Sequence, residues 1–227
     1  MSLLEKHILS GFAGSIQSLR DDVLIMGSYA LRGLDCAVRG VLERDSELCR
    51  AAIDGDSEID EFEKAVDDAG VKTLVRFSPV AADLREVIAA MKISGNLERV
   101  GDQGVTIARR GCRLNGGEEL SEIERMQELF GTARELLSES LRCYGQRDVK
   151  RARELIGEDQ QLDEKCREFD NSLGAFIIRA PEKVHSLLHL VYISRSLERI
   201  GDHASNIAEN VIFLEEGRDV RHGEVDD

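Results

Sequence analysis

Residues 97–110 read LERVGDQGVTIARR, and residues 197–210 read LERIGDHASNIAEN. Seven of the fourteen positions are identical, and an eighth exchanges Val100 for Ile200. A second matching pair precedes them: DSEIDEFE at 56–63 corresponds to DQQLDEKC at 159–166. The offset is 103 residues for this pair and 100 for the LER segments, so the three-residue difference falls between the motifs, close to Pro79 and Pro181. Such piecewise agreement marks an internal duplication, a unit of about a hundred residues written twice.

Each unit reads as helical. Leu19, Val23, Met26, Ala30, Leu34, Val38 and Val41 recur at spacings of three and four, one face of an α-helix. Ile123, Met126, Phe130, Ala133, Leu137 and Tyr144 repeat the pattern in the second unit, and Ile193, Leu197, Ile200, Ala204, Ile207 and Val211 form its last stripe. Asp45 and Asp148 stand where N-caps are expected, and the only two prolines, Pro79 and Pro181, punctuate the chain at matching places. The pattern predicts six helices, at 3–43, 46–77, 80–112, 119–145, 149–179 and 182–216. The fold class is therefore all-α: two tandem antiparallel three-helix bundles, over 1–116 and 117–216, with an acidic flexible tail at 217–227.

Composition removes several functions. A net charge of −14, no tryptophan and no Lys/Arg run longer than Arg109-Arg110 argue against nucleic acid as a partner. No window approaches the roughly 18 uninterrupted apolar residues of a spanning helix, so the chain is expected in the cytoplasm and not embedded in a membrane. Five scattered cysteines, Cys36, Cys49, Cys112, Cys143 and Cys166, lack CxxC spacing and read as reduced, structurally indifferent side chains.

Carboxylates four apart share a helix face, so Asp56 with Asp60, Glu98 with Asp102, Asp159 with Asp163, and Glu198 with Asp202 are four two-pronged groups. In a chain with 44 acidic residues such pairs also arise by chance. Register raises the signal. Asp60 lies 19 residues before Pro79 and Glu98 lies 19 after it, while Asp56 and Asp102 are each 23 away. Around Pro181 the distances are 18 and 22 before, 17 and 21 after. Antiparallel helices joined at these prolines would bring four carboxylates level in each unit. At 100° per residue, Glu198 and Asp202 fall roughly 140° and 180° from Ile193 and so face away from the apolar stripe. A cluster of that kind repels itself unless it binds a cation, and all-oxygen ligands suit magnesium, calcium, manganese or ferric iron, with zinc admitted. A salt-bridged surface is the competing reading, because Arg99 and Arg199 stand three residues before Asp102 and Asp202. Gly101 and Gly201, beside the carboxylates in mid-helix, suggest close approach by something, or simply tight helix packing.

The doubled LER-x-GD segment, each copy preceded by D-x-x-(I/L)-D, together with SPVAADLREV at 78–87, resembles the PhoU family of phosphate-signalling regulators over roughly residues 5 to 215. The resemblance implies surface metal clusters, of iron, zinc, magnesium or manganese, on Asp56, Asp60, Glu98 and Asp102 in one bundle and on Asp159, Asp163, Glu198 and Asp202 in the other. It also implies a negative regulator of the phosphate-starvation response that contacts a phosphate ABC transporter component and a sensor histidine kinase, with a homodimer among the assemblies it allows. Asp83-Leu84-Arg85 has no counterpart in the second unit's PEKVHSLLH, and Asn206 aligns with Thr106, so the two clusters are expected to differ.

Two other classes compete. A di-metal enzyme in a helical bundle needs Glu-x-x-His from two helices. The chain offers Glu182 to His185, and His185 lies roughly 140° around the helix from Glu198. His7, His189, His203 and His222 are scattered, and no nucleophile and base are grouped, so no catalysis is expected. A ligand-free helical scaffold is the remaining alternative.

Overall fold

The computed structural model describes the backbone of residues 3–220 and the side chains of residues 11–220. Among these residues the chain is helical throughout, as six arms: α1 (Leu3–Leu42), an arm divided into α2 (Ser46–Asp54) and α3 (Asp56–Phe77), α4 (Ala81–Asn115), α5 (Met126–Gln146), α6 (Val149–Arg179) and α7 (Val184–Glu216). The single helix expected over 46–77 is broken at Gly55. The Ser57 hydroxyl there takes the Asp54 carbonyl at 3.1 Å, and Glu58 N–H reaches only back to the Gly55 carbonyl at 3.3 Å, so the ladder restarts. Short 3₁₀ turns, Ser121–Arg125 and Pro181–Lys183, lead into α5 and α7.

Helix starts follow the sequence signals. Asp45 accepts from the N–H groups of Glu47 and Leu48, and Asp148 accepts from Arg151 N–H at 3.0 Å. The boundary expected after residue 116 falls in the loop between α4 and the 3₁₀ turn. Gly217, at φ 70°, ends α7, and the expected tail lies outside the described residues from 221 onward.

The two units are not separate bodies. α4 and α7, carriers of the repeated LER segment, lie antiparallel against each other: Arg85 Nε donates to the Leu214 carbonyl near one end, Asn96 meets His203 in the middle, and Arg110 meets His189 near the other. Leu97, Val100, Leu197 and Ile200 are fully buried, within one continuous apolar core fed by both units. The repeated motif therefore encodes two things in alternation: apolar residues that join the units and carboxylates that face outward. A second clasp closes one end, where Arg147 pairs with Glu86 of α4 and Glu215 of α7, and Arg20 donates to the carbonyls of Tyr144 and Gly145 that end α5.

Candidate metal centre

The proline register brings the carboxylate pairs level, as the spacing predicts. Asp56 on α3 packs against Gly101 on α4, and Asp159 on α6 packs against Gly201 on α7. A Cβ at Gly101 would stand 2.6 Å from Asp56 Oδ1, and one at Gly201 would stand 2.4 Å from Asp159 Oδ1. The glycines thus admit the carboxylate of the neighbouring helix itself. Ile59 and Leu162, which belong to the same D-x-x-(I/L)-D segments, press on the same glycines and anchor the carboxylates in the core.

In the second unit Asp159, Asp163 and Asp202 each turn an oxygen into one small space, all within 4.8 Å of one another. Glu198 lines the adjoining groove with Asp163 and Asp202. Asp159 Oδ1 and Asp163 Oδ1 are buried without a hydrogen-bond partner. Burial, then the charges of Asp163 and Asp202, push the Asp159 carboxyl up to about 6. The Ser205 hydroxyl lies near enough to oppose that shift by hydrogen bonding, but its oxygen does not reach full hydrogen-bond geometry and is left without a partner. Glu198 and Asp202 are raised as well, first by burial and then by Asp163. Orphaned, mutually repelling hard oxygens at this separation fit a cation such as manganese, magnesium or iron.

The first unit is arranged differently. Arg99 reaches Glu98 Oε2 with Nε and Asp102 Oδ2 with Nη1, each at 3.2 Å. Burial and Asp60 raise the Asp56 carboxyl against the opposing charge of Arg109, and burial and Asp102 raise Glu98 against Arg99. Asp56, Asp60, Glu98 and Asp102 are electrostatic neighbours, yet among the described residues the tight three-oxygen convergence occurs only in the second unit. Arg199, the counterpart of Arg99, forms no ion pair among the described residues. The salt-bridge reading of the sequence therefore describes the first unit and the open-cluster reading describes the second.

Several neighbours escaped sequence reasoning. Asp170, seven residues beyond Asp163 on the same helical face, continues the acidic stripe into the groove, and Arg195 lies three residues before Glu198. Their spacing was legible, but nothing distinguished them from ordinary surface charge. His203 holds the seam between the two sites: its Nδ1 is 3.0 Å from Asn96 Oδ1, and burial followed by Arg99 and Arg199 keeps its pKa low despite Asp202. His185 and Glu182 are exposed at the turn between α6 and α7. Thirteen residues separate His185 from Glu198, about 20 Å along the axis, so the Glu-x-x-His pair does not reach the cluster. All five cysteines are free thiols, and Cys49, Cys143 and Cys166 are buried. No described helix is long and apolar enough to cross a membrane.

Comparison with known proteins agrees with this architecture. The PhoU domain matches twice, over residues 23–111 and 126–211. The phosphate-specific transport system accessory protein PhoU homolog of Pseudomonas aeruginosa is 31% identical over 220 residues, covering 96% of this chain and 91% of that protein. The phosphate-specific transport system accessory protein PhoU of Escherichia coli is 28% identical, over 96% and 91% of the two chains. The crystal structure of PhoU from Pseudomonas aeruginosa superposes with a TM-score of 0.88 at 30% identity, covering 91% of this chain and all of the other. The Streptococcus pneumoniae phosphate transport system regulatory protein PhoU shares the fold, with a TM-score of 0.85 at 23% identity. Two domain matches that coincide with the two halves of the duplication, one on each side of the antiparallel α4–α7 pair, place the chain in the PhoU family.

Proposed function

We propose that this protein is a cytoplasmic regulator of phosphate transport that restrains the phosphate-starvation response through contacts with a phosphate ABC transporter component and a sensor histidine kinase. The observation that carries this reading is the match to phosphate-specific transport accessory proteins along nearly the whole length of both chains. Exposed apolar side chains at the two hairpin turns support action by contact. Val75 is 79% exposed and its duplicate Ile178 is 84% exposed, and the opening turns of α4 and α7 carry the exposed Leu84 and Leu188. The cation of the second unit, held by Asp159, Asp163, Glu198 and Asp202, would cross-link α6 to α7, and Asp56, Asp60, Glu98 and Asp102 would hold a second one after Arg99 moves aside. Regulation by contact is favoured over turnover, because the Glu182–His185 pair sits about 20 Å along the helix axis from Glu198 and, among the described residues, no base is grouped with a nucleophile. Affinity capture from cytoplasmic and membrane fractions, in phosphate-replete and phosphate-starved cells, tests the proposal. Recovery of a phosphate transporter component or a sensor kinase supports it, and recovery of neither overturns it.

A further inference from the structure

The groove beside the second carboxylate site carries cations as well as anions. It encloses about 490 Å³, within the range of small-molecule sites, and Arg167, Arg195, Arg199 and Asn171 share its lining with the carboxylates. Arg167 is paired with Glu164. Arg195 and Arg199 form no ion pair or hydrogen bond among the described residues, whereas Arg99 is spent on two carboxylates. Duplication gives an internal comparison. Where the second unit has Arg195 the first has Gly95, and where it has Asn171 the first has Asp68, which is itself paired with Lys72. The second groove has therefore gained a guanidinium and an amide donor and has one carboxylate fewer.

Resting on the metal reading above, the geometry points to a site for a tetrahedral oxyanion in this groove, bound to a cation on Asp159, Asp163 and Asp202 and gripped by Arg195, Arg199 and Asn171. Charge explains why the cation must come first. Four carboxylates, those of Asp163, Asp170, Glu198 and Asp202, face three guanidiniums, which leaves the groove net negative and closed to anions. With Asp159 counted the excess is two negative charges, which a divalent ion cancels and a trivalent ion reverses. The buried Ser205 hydroxyl, unpartnered beside Asp159, is a further group that an occupied site would satisfy. Guanidinium forks suit phosphate oxygens in paired hydrogen bonds, and an oxyanion completes the open positions of a hard cation that three carboxylates leave incomplete. Free inorganic phosphate and the phosphoryl group of a larger molecule share this chemistry.

Equilibrium dialysis of the full chain tests the inference, with inorganic phosphate and a nucleoside monophosphate as separate probes, in metal-free protein and after loading with manganese, zinc or iron. Retention only after loading is expected; preference for inorganic phosphate identifies the free ion, and preference for the nucleotide identifies a phosphoryl ligand. The exposed pair Arg195→Gln/Arg199→Gln should weaken retention about tenfold or more while metal uptake and melting temperature hold, and Arg50→Gln, whose partner Glu47 is exposed and which lines no part of this groove, should leave retention unchanged. Metal uptake without retention of either probe, or full retention by the arginine double variant, overturns the oxyanion site and leaves the metal reading standing. Failure to take up any of the three metals overturns both.

Discussion

Asp159 Oδ1 lies so close to the backbone of Gly201 that an alanine Cβ there would stand 2.4 Å from it and 2.7 Å from Leu162 Cδ2. The mid-helix glycine, costly by about 1 kcal/mol in helix propensity, is kept because the carboxylate of the neighbouring helix occupies the space a side chain needs. Gly201→Ala should regain that propensity and lose more to overpacking, for a net loss of about 1 kcal/mol. Displacing Asp159 should also abolish cation uptake by the second unit. Gly95→Ala is the control: nothing stands within 4 Å of its Cβ position, so this variant should gain about 0.5–1 kcal/mol in urea unfolding.

The raised Asp159 carboxyl makes metal-free stability depend on pH in a definite sense. Its pKa is about 6 in the fold against an ordinary value of 3.8, so the folded state binds the proton more tightly than the unfolded chain does. The contribution is fully present below about pH 4 and is lost as pH rises through about 6. The shift corresponds to at most about 3 kcal/mol, and partial exposure reduces it to on the order of 1 kcal/mol. Burial raises Glu198, Asp202, Asp56 and Glu98 in the same direction. Chelator-treated protein should melt at a higher temperature at pH 4.5 than at pH 7. Asp159→Asn should flatten that dependence and melt above wild type at pH 7, and a variant less stable than wild type at pH 7 would show that the cluster is not self-repelling.

The six helical arms, both N-caps and the level register of the carboxylates follow from sequence because each depends on local spacing: period 3.6, Asp45 and Asp148 before apolar stripes, and distance from a proline. The break at Gly55 does not, since it turns on the Ser57 hydroxyl competing for one carbonyl. Nor does the asymmetry between the sites. Arg99 and Arg199 occupy equivalent positions, and side-chain conformation sends one to Glu98 and Asp102 and leaves the other beside Arg195, where the first unit has Gly95. Sequence left Gly101 and Gly201 between a close approach and plain helix packing, and did not identify Asp56 and Asp159 as the approaching groups. The antiparallel α4–α7 seam, with His203 on Asn96, is a long-range pairing that no local pattern announces.

Arg147 should be the single most sensitive ion-pair residue. It pairs with Glu86, whose side chain is only 10% exposed, and with Glu215, tying α4 to α7 at one end. Removing it leaves Glu86 buried, charged and already short of a partner at Oε1. Arg147→Ala should cost about 3 kcal/mol, and adding Glu86→Gln should recover about half, because the stranded charge is then gone. By contrast Arg32→Ala, whose partner Glu58 is exposed, should change stability by less than about 0.5 kcal/mol. Denaturant midpoints of the four proteins decide this, and equal losses for Arg147→Ala and Arg32→Ala would remove the clasp.

Metal should enter the two sites in order. The second unit presents Asp159, Asp163 and Asp202 with oxygens already converged and Arg199 disengaged, whereas a cation in the first must displace Arg99 from two carboxylates. Two-phase uptake is expected in calorimetry, the tighter phase removed by Asp159→Asn/Asp163→Asn and the weaker by Asp56→Asn/Asp60→Asn. Arg99→Gln should narrow the gap, because the competing guanidinium is then absent. Binding confined to the folded hairpin stabilises it by RT ln(1 + [L]/Kd), about 2.7 kcal/mol at a hundredfold excess over Kd. The melting temperature should therefore rise with metal at pH 7, with most of the rise lost in the Asp159/Asp163 variant. Protons compete for the same oxygens, so the rise should shrink as pH falls through about 6, where Asp159 takes up its proton. The metal-free fold gains stability over that same interval, which brings the two melting curves together from opposite directions. A metal-induced rise that is independent of pH would show that these carboxylates do not hold the cation, and one that survives in the Asp159/Asp163 variant and vanishes in the Asp56/Asp60 variant would place the tighter site in the first unit.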